Sequence, residues 1–285
     1  MSMIAAFKKN EELIHEMRSA PHDDSLHIWW LGQSGYLLHV NGIYFLMDPY
    51  LSDSLTLKYA DTDKPHIRMS EIVLDPSCLN FIDFVSSSHN HTDHLDAATL
   101  IPILENNPEI KFIIPEANRS FVSNRCKCPL DFPIGLDDRS MHSFGHVSVH
   151  GIPAAHETVD RNEAWQPIYM GYIIYINQYC IYHSGDCIPF PGLEEILKKY
   201  HIDIAFLPVN GRAPERKVSG NFTIQEACDL AKVIQAKLLI PGHYDMFEFN
   251  TADVNDLPPY AKSINQPYKI LSHGELFTYQ KSGVG

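Results

Sequence analysis

The chain has 285 residues, of which 45% are hydrophobic and 20% charged, an ordinary composition for a globular protein with a substantial core. Its formal net charge of −13 argues against nucleic acid as a partner, because nucleic-acid binding depends mainly on lysine and arginine at the phosphates. No apolar run is long enough to cross a bilayer, and the N-terminus lacks a signal-peptide pattern. We therefore expect a cytoplasmic protein that acts on a small molecule and binds neither a membrane nor nucleic acid; a homo-oligomer stays open.

The first half of the chain predicts strands that lead into a histidine-rich run. Residues 1–20 predict a short helical extension, and residues 26–48 predict three strands, with Asn41-Gly42 as a hairpin turn between the last two. Residues 50–70 are polar, without a clear period, and predict a long loop. The elements expected next are a strand at 81–85, a helix at 95–104, a strand at 111–114 and a helix at 115–125.

The second half repeats this style. Strands are predicted at 147–150, 169–176, 179–182, 203–207 and 237–240, and helices at 193–200 and 223–235, the latter with Thr223 as its N-cap. No Gly/Ser-rich linker divides the chain, so one domain over 1–285 is expected. The pattern predicts an α/β (α+β) fold in which two sheets carry helices on their outer faces.

Cysteine usage fits a reducing environment. The six cysteines are scattered and mostly flanked by apolar residues, so reduced and partly buried thiols are expected. Cys126 and Cys128 are separated by one residue, which is shorter than the usual spacing of a zinc knuckle. The cysteines therefore predict no metal site.

The feature that carries chemistry is the run from His89 to His94. His89 and His91 project to the same side of an extended segment, and Asp93 and His94 follow as the chain turns into a helix. Neutral imidazole and carboxylate are the ligand types that suit Zn²⁺, Mn²⁺ or Fe²⁺. This run predicts a metal site and leaves open how many ions it holds.

Further candidate ligands follow predicted strands later in the chain. His156, Asp186 and His243 each lie in a loop just after a strand, and His183 precedes Asp186. Taken singly, a loop histidine is usually a surface residue. His156 has three alternatives as a candidate ligand, His142, His146 and His150. Two of these lie within or beside a strand, where a structural histidine is the ordinary interpretation.

Together these residues resemble the metallo-β-lactamase fold family of hydrolases. His89, His91, Asp93 and His94 match its H-x-H-x-D-H motif; the later ligands match His156, Asp186 and His243; and Asp48 matches the aspartate that supports the metal ligands. Within that superfamily the chain is most similar to the L-ascorbate 6-phosphate lactonase (UlaG-type) family. The stretches that carry this similarity are 28–32, 73–76, 82–83, 182–186, 202–205 and 240–243.

This resemblance implies a four-layer αββα sandwich with two divalent metal ions, Mn²⁺ or Zn²⁺, at one edge between the sheets. We expect His89, His91 and His156 to hold one ion, Asp93, His94 and His243 to hold the other, and Asp186 to bridge them. Asp93 and Asp186 are the candidate catalytic residues, and Asp93 is also a candidate proton relay. Asp48 and His183 are expected to orient the ligands.

The resemblance implies a lactone or related ester of a small anionic molecule, such as L-ascorbate 6-phosphate, as substrate. Asn90 departs from the lactonase, which has an acidic residue there, and becomes a candidate substrate contact. The basic loop 210–217 suggests Arg212 as an anion clamp, although such a loop is as often merely solvated. A metal-dependent phosphodiesterase and a non-catalytic metal-binding scaffold are the alternative functions.

Overall fold

The computed structural model describes residues 3–213, 216 and 220–281, which form two mixed sheets flanked by helices. The helices are α1 (Asn10–Ser19), α2 (Ser54–Lys58), α3 (Ala97–Asn106), α4 (Arg119–Cys126), α5 (Leu193–Leu197), α6 (Ile224–Val233) and α7 (Leu257–Ser263). The strands are β1 (Leu26–Gly32), β2 (Gly35–Val40), β3 (Ile43–Met47), β4 (Phe84–Ser86), β5 (Lys111–Pro115), β6 (Ile134–Leu136), β7 (Met141–Phe144), β8 (Val147–Pro153), β9 (Met170–Ile176), β10 (Tyr179–His183), β11 (Ile204–Pro208), β12 (Leu238–Gly242) and β13 (Leu276–Tyr279).

The two sheets are built alike. The first has the order β13-β1-β2-β3-β4-β5-β6, antiparallel from β13 to β3 and parallel from β3 to β6. The second has the order β12-β11-β10-β9-β8-β7, antiparallel from β7 to β10 and parallel from β10 to β12. Each sheet therefore has a parallel half whose strands point the same way and deliver their following loops to one edge.

The hydrophobic residues divide into layers because successive strand residues face opposite sides of a sheet. On β1, Ile28 and Trp30 belong to the core between the sheets, whereas Trp29 belongs to the core under α1, α3 and α4. The sheets meet through contacts such as the Tyr36 and Phe206 rings, 4.5 Å apart. On the far side, α6 lies against β11 and β12. The predicted two-sheet α/β fold is confirmed.

Most predicted elements are present with shifted ends. The hairpin turn has both Asn41 (φ 47°) and Gly42 (φ 83°) in the left-handed region, as a tight two-residue turn requires. Thr223 caps α6 and forms a capping box with Glu226. Of the helix expected at 115–125, Pro115 is the last residue of β5 and pairs with Leu136, Glu116–Asn118 form a 3-10 helix, and the α-helix starts at Arg119.

Some elements were not predicted. The long loop at 50–70 contains α2, and the Leu55 N–H of this helix donates to the hydroxyl of Tyr50, which precedes the helix. The strands β6, β7 and β13 are short edge or near-edge strands, and their sequences carry little periodicity. None of the described helices is long and apolar enough to cross a membrane. All six cysteines are unpaired, as expected.

Candidate metal centre

The candidate site lies at one edge of the sandwich, where the C-terminal ends of strands from both sheets meet. Asp48 follows β3, and the run from His89 to His94 follows β4. From the second sheet, His156 follows β8, Asp186 follows β10 and His243 follows β12. Strands of both sheets that point to this edge thus bring together side chains that lie up to 195 positions apart in the chain, from Asp48 after β3 to His243 after β12.

Two groups of ligand-type side chains converge there, and the atoms within each group lie within 4.8 Å of one another. Asp186 lies between the groups. Its Oδ1 is 3.2 Å from His94 Nε2, and its Oδ2 is 3.5 Å from His243 Nε2 and 3.6 Å from His156 Nε2. The groups are His89, His91, His156 and Asp186 on one side, and Asp93, His94 and His243 on the other. We call these seven side chains the floor.

Asp48 orients the floor from behind. It is fully buried, and its Oδ2 accepts a hydrogen bond from His94 Nδ1 at 2.7 Å and another from the Ser88 hydroxyl. The Ser88 N–H donates to Oδ1 of the same carboxylate at 3.0 Å. With Nδ1 engaged, His94 turns Nε2 towards Asp186 and Asp93. Ligand histidines in metalloproteins are commonly fixed by a carboxylate in this way.

Backbone groups fix other floor histidines. His156 Nδ1 donates to the Gly220 carbonyl at 2.9 Å, which points its Nε2 towards Asp186. His243 has a left-handed backbone (φ 63°), and its N–H donates to the Gln33 carbonyl at 2.9 Å. Non-glycine residues in this region carry local strain that the surrounding structure must hold, which is a common feature of functional sites.

Gln33 is a site residue that the sequence did not reveal. Its side-chain amide donates to Asp93 Oδ2 at 2.7 Å, and its own backbone is left-handed (φ 52°). It is fully buried in the turn between β1 and β2. Glycines flank this turn in the sequence, but nothing local indicates that it meets Asp93, 60 positions away.

Gly185 is required where the two sheets meet. Its φ is 57°, and a Cβ at this position would lie 2.5 Å from Ser88 Cβ and 2.9 Å from the Met170 carbonyl. The backbone just before Asp186 therefore passes directly over Ser88, the residue that donates twice to Asp48. Only glycine fits this crossing.

The electrostatics of the floor favour a cation. Burial lowers the pKa of His89 well below its ordinary value, so that its ring is neutral. Burial acts to lower the pKa of His243 as well, but Asp186 and Asp93 outweigh it and raise that pKa to about 9. Burial would raise the pKa of Asp186, yet His94 and His243 hold it well below its ordinary value. Two ionised carboxylates thus stabilise positive charge at this point.

The donor set fits a pair of divalent cations. His89 Nε2 is buried and has no hydrogen-bond partner among the described residues, and His94 Nε2 and Asp186 Oδ1 face each other at 3.2 Å without a well-formed hydrogen bond. Buried polar atoms are normally satisfied, so their convergence calls for a ligand. Imidazole nitrogen and carboxylate oxygen are the donors that zinc and manganese accept in proteins. The two groups contain the side chains that the resemblance implied for each ion, with Asp186 in the group of His89, His91 and His156.

Of the remaining predicted residues, some lie at the site and others do not. His183 is buried near Asp48, outside the two ligand groups, and Asn90 lines the cavity above the floor. His142, His146 and His150 lie outside the ligand groups, which favours His156.

The interpretation of Arg212 as an anion clamp disagrees with the structure. Its guanidinium makes two hydrogen bonds to Glu226, at 2.6 and 2.7 Å, and it does not line the cavity. The positive charge of Arg212 is therefore paired with a carboxylate of the protein itself, which the sequence did not indicate. Within the same loop, Pro214, Glu215 and Lys217 lie outside the described residues, and Arg216 donates to the Asn210 and Thr251 carbonyls.

A cavity of about 430 Å³ opens above the floor. One side of it is aromatic: the His66 ring lies 4.3 Å from Tyr59, 4.6 Å from Phe249 and 5.2 Å from Phe247, measured between centroids. We call these four residues the aromatic wall. Two cationic residues, Lys58 and Arg125, also line the cavity. The sequence predicted none of these cavity-lining residues.

Comparison with known proteins agrees with this geometry. A family model described as a beta-lactamase superfamily domain matches residues 27–243. The chain belongs to this superfamily. A UPF0173 metal-dependent hydrolase of Methanosarcina mazei is 26% identical over 263 residues, covering 88% of this chain and 97% of the relative. Another, from Exiguobacterium sp., is 25% identical over 234 residues, covering 78% of this chain and 87% of the relative.

Solved structures show the same fold. Igni18, a metallo hydrolase of Ignicoccus hospitalis, matches with a TM-score of 0.66 and 21% identity, over 90% of this chain and 100% of Igni18. An isothiocyanate hydrolase from Delia radicum gut bacteria matches with a TM-score of 0.71 and 15% identity, over 89% and 98% of the two chains. The predicted metallo-β-lactamase fold and its kinship with metal-dependent hydrolases are confirmed, whereas the narrower resemblance to the UlaG-type lactonase stays a prediction.

Proposed function

We propose that the protein hydrolyses carbonyl esters or lactones of small molecules with the help of two divalent cations, manganese or zinc. The observation that carries this proposal is the position of Asp186 between two groups of ligand-type side chains. His89, His91 and His156 would hold one cation, Asp93, His94 and His243 the second, and Asp186 would contact both. When bound, such a pair of cations would supply a water molecule that ionises near neutral pH. The cations would also polarise the oxygen of the scissile group.

Asp93 has a second role in this proposal, as the group that orients the water and takes up its proton. Its side chain is 15% exposed, compared with 5% for Asp186, so it is the more accessible carboxylate of the floor. Burial acts to raise its pKa, but His94 and His243 hold that pKa below its ordinary value, which keeps it ionised. The Gln33 amide donates to its Oδ2, and Asp93 lines the cavity above the floor.

The size of the cavity and the net charge of the chain favour a small substrate over a polymer. Its volume of about 430 Å³ is in the range of small-molecule sites. The net charge of −13 opposes binding of a polyanionic nucleic acid. Resemblance to the UlaG-type lactonase supports a lactone or ester as the bond that is cleaved.

The first experiment is metal analysis of the purified protein together with activity before and after chelation. We expect about two equivalents of manganese or zinc, loss of lactone hydrolysis after chelation, and recovery when metal is returned. His156→Ala should lose metal and activity, whereas His146→Ala, at an exposed histidine outside the ligand groups, should keep both. Full activity of the metal-free protein would end the proposal.

The second experiment decides which bond is cleaved. A panel of lactones, thioesters and bis-p-nitrophenyl phosphate is assayed with the metal-loaded protein. The proposal expects the highest kcat/KM with a lactone or ester. A preference for the phosphodiester would replace it with the phosphodiesterase function, which the same metal pair can support. A protein that binds two metals and hydrolyses no member of the panel would count for the scaffold function.

A further inference from the structure

The Arg125 side chain lies beside the run of metal ligands. Its Nη1 donates to the Asn90 carbonyl at 2.6 Å and lies 3.4 Å from the Leu95 carbonyl. Asn90 stands between His89 and His91, so the guanidinium contacts the backbone between two residues of the floor. The Arg125 guanidinium also lies over the Phe121 ring, 4.4 Å from its centroid. These contacts hold Arg125 at the edge of the cavity that it lines.

The charge of Arg125 has no acidic partner. No carboxylate lies within salt-bridge distance of it in the part of the chain that the structure describes, and neither Nε nor Nη2 makes a hydrogen bond there. Five other arginines do pair with carboxylates: Arg68, Arg119, Arg139, Arg161 and Arg212. Arginine stays protonated even when partly buried, so Arg125 brings a positive charge without a salt-bridge partner to the cavity of an acidic protein.

The same cavity has an apolar side. The aromatic wall offers ring surface from Tyr59, His66 and Phe249, and only partial burial leaves these rings open to the cavity. A cavity with a few placed charges and an aromatic lining is typical of sites that bind a ligand with a polar end and an apolar body. Lys58 adds a second positive charge at the cavity, and it lies over the Tyr59 ring, 5.0 Å from the centroid.

Building on the proposed hydrolase function, we propose that Arg125 binds an oxyanion group of the substrate, a carboxylate or a phosphate, while the aromatic wall contacts the substrate's planar or apolar body. The free face of the guanidinium offers two N–H donors in the fork geometry that such groups accept. The anion would lie next to Asn90, and the scissile bond would lie over the floor. Arg125 thus selects anionic substrates, a role that Arg212 cannot fill because Glu226 occupies its guanidinium.

The test uses two esters that differ only in charge: 4-nitrophenyl hydrogen adipate and its methyl ester, which share a leaving group and a chain length. The metal-loaded wild type should prefer the acid. Arg125→Gln should raise KM for the acid about 10- to 100-fold, as for the loss of a charged hydrogen bond, and leave the methyl ester nearly unchanged. Arg125→Lys should keep part of the preference. Arg139→Gln removes the same charge from an exposed arginine and should change neither ester.

A binding measurement separates this inference from the proposed reaction. Titration calorimetry with phenylphosphonate, which combines a ring with an oxyanion, should give at least about ten-fold weaker binding to metal-loaded Arg125→Gln than to wild type. If this difference is found and neither ester is hydrolysed, the anion site stands and the ester-hydrolase function fails. If hydrolysis shows no charge preference and phenylphosphonate binds both proteins equally, the hydrolase stands and the anion site is overturned. Equal loss with both esters, or loss of metal from Arg125→Gln, would also overturn it, since Arg125 would then only position the Asn90 backbone.

Discussion

The floor and the aromatic wall of the cavity are built in different ways. The floor follows strand ends, and its side chains are held by buried partners such as Asp48 and the Gly220 carbonyl. The wall comes from two segments outside the helices and strands, 59–68 and 246–250, which touch through an isolated bridge between Arg68 and Phe247. Its rings contact mainly one another. A rigid floor can keep one chemistry while the loops above it change the substrate.

The largest expected effect comes from the floor. Asp186→Asn keeps the shape of the side chain but removes the charge of the carboxylate that lies between the two ligand groups. We expect kcat to fall about a thousand-fold, since the loss of metal-based stabilisation is worth several kcal/mol. The measurement is kcat on the best substrate of the panel, with metal content determined in parallel.

Two outcomes would speak against a shared role for Asp186. One is a variant that keeps two metals and most of its activity. The other is a similar loss in His146→Ala, which would indicate general damage, because that exposed histidine lies outside both ligand groups. Either result would also contradict the assignment of the chemistry to the floor and of substrate selection to the wall.

The second-largest effect is expected on metal affinity when Asp48, which lies beneath the floor, is changed. Asp48→Asn weakens the acceptor of the His94 Nδ1 hydrogen bond and of both Ser88 donors. Metal affinity should fall about 10- to 100-fold, the usual cost of losing such an outer partner. Metal titration against a competing chelator measures it, and circular dichroism checks the fold. Unchanged affinity would show that His94 is oriented by other contacts.

The wall should behave differently from the floor. Phe249→Ala removes one ring from the cavity without touching a ligand-type residue, so KM should rise about ten-fold while kcat and metal content stay nearly constant. Leu57→Ala is the control, because Leu57 belongs to the same region but is exposed and lines no part of the cavity. A fall in kcat as large as that in Asp186→Asn would erase the proposed division between chemistry and substrate selection.

The difference between local patterns and long-range contacts explains which parts of the fold and the site could be predicted from the sequence. The run from His89 to His94 is local, and the later ligands each end a predicted strand, so the floor and the two-sheet fold could be predicted. Gln33 and Arg125 could not, because their contacts to Asp93 and Asn90 span 60 and 35 positions and have no local pattern. Arg212 was misassigned for the same reason, since its pairing with Glu226 is also long-range.

The smallest effect distinguishes two kinds of buried histidine. In the floor, Asp186 and Asp93 raise the pKa of His243 to about 9 despite its burial. His273 lies in the core, stacked on Trp30 with 4.2 Å between ring centroids, and burial lowers its pKa to about 3. The difference is the presence or absence of a neighbouring carboxylate.

His273 should therefore make the fold less stable as pH falls. Below about pH 6.5 its ring binds a proton in the unfolded chain but not in the folded one, and this continues until the folded pKa near 3. Between pH 7 and pH 5.5 the free energy of unfolding should drop by about 1 kcal/mol through this residue alone.

The variant His273→Phe removes that contribution, so the stability of the variant should depend less on pH than that of the wild type, whatever its absolute stability. Chemical denaturation of both proteins at the two pH values measures the difference, and the titration of the floor cancels because it is common to both. Equal pH dependence in the two proteins would mean that His273 has the same pKa in the folded and unfolded chains, so that its burial beside Trp30 does not exclude the charged ring.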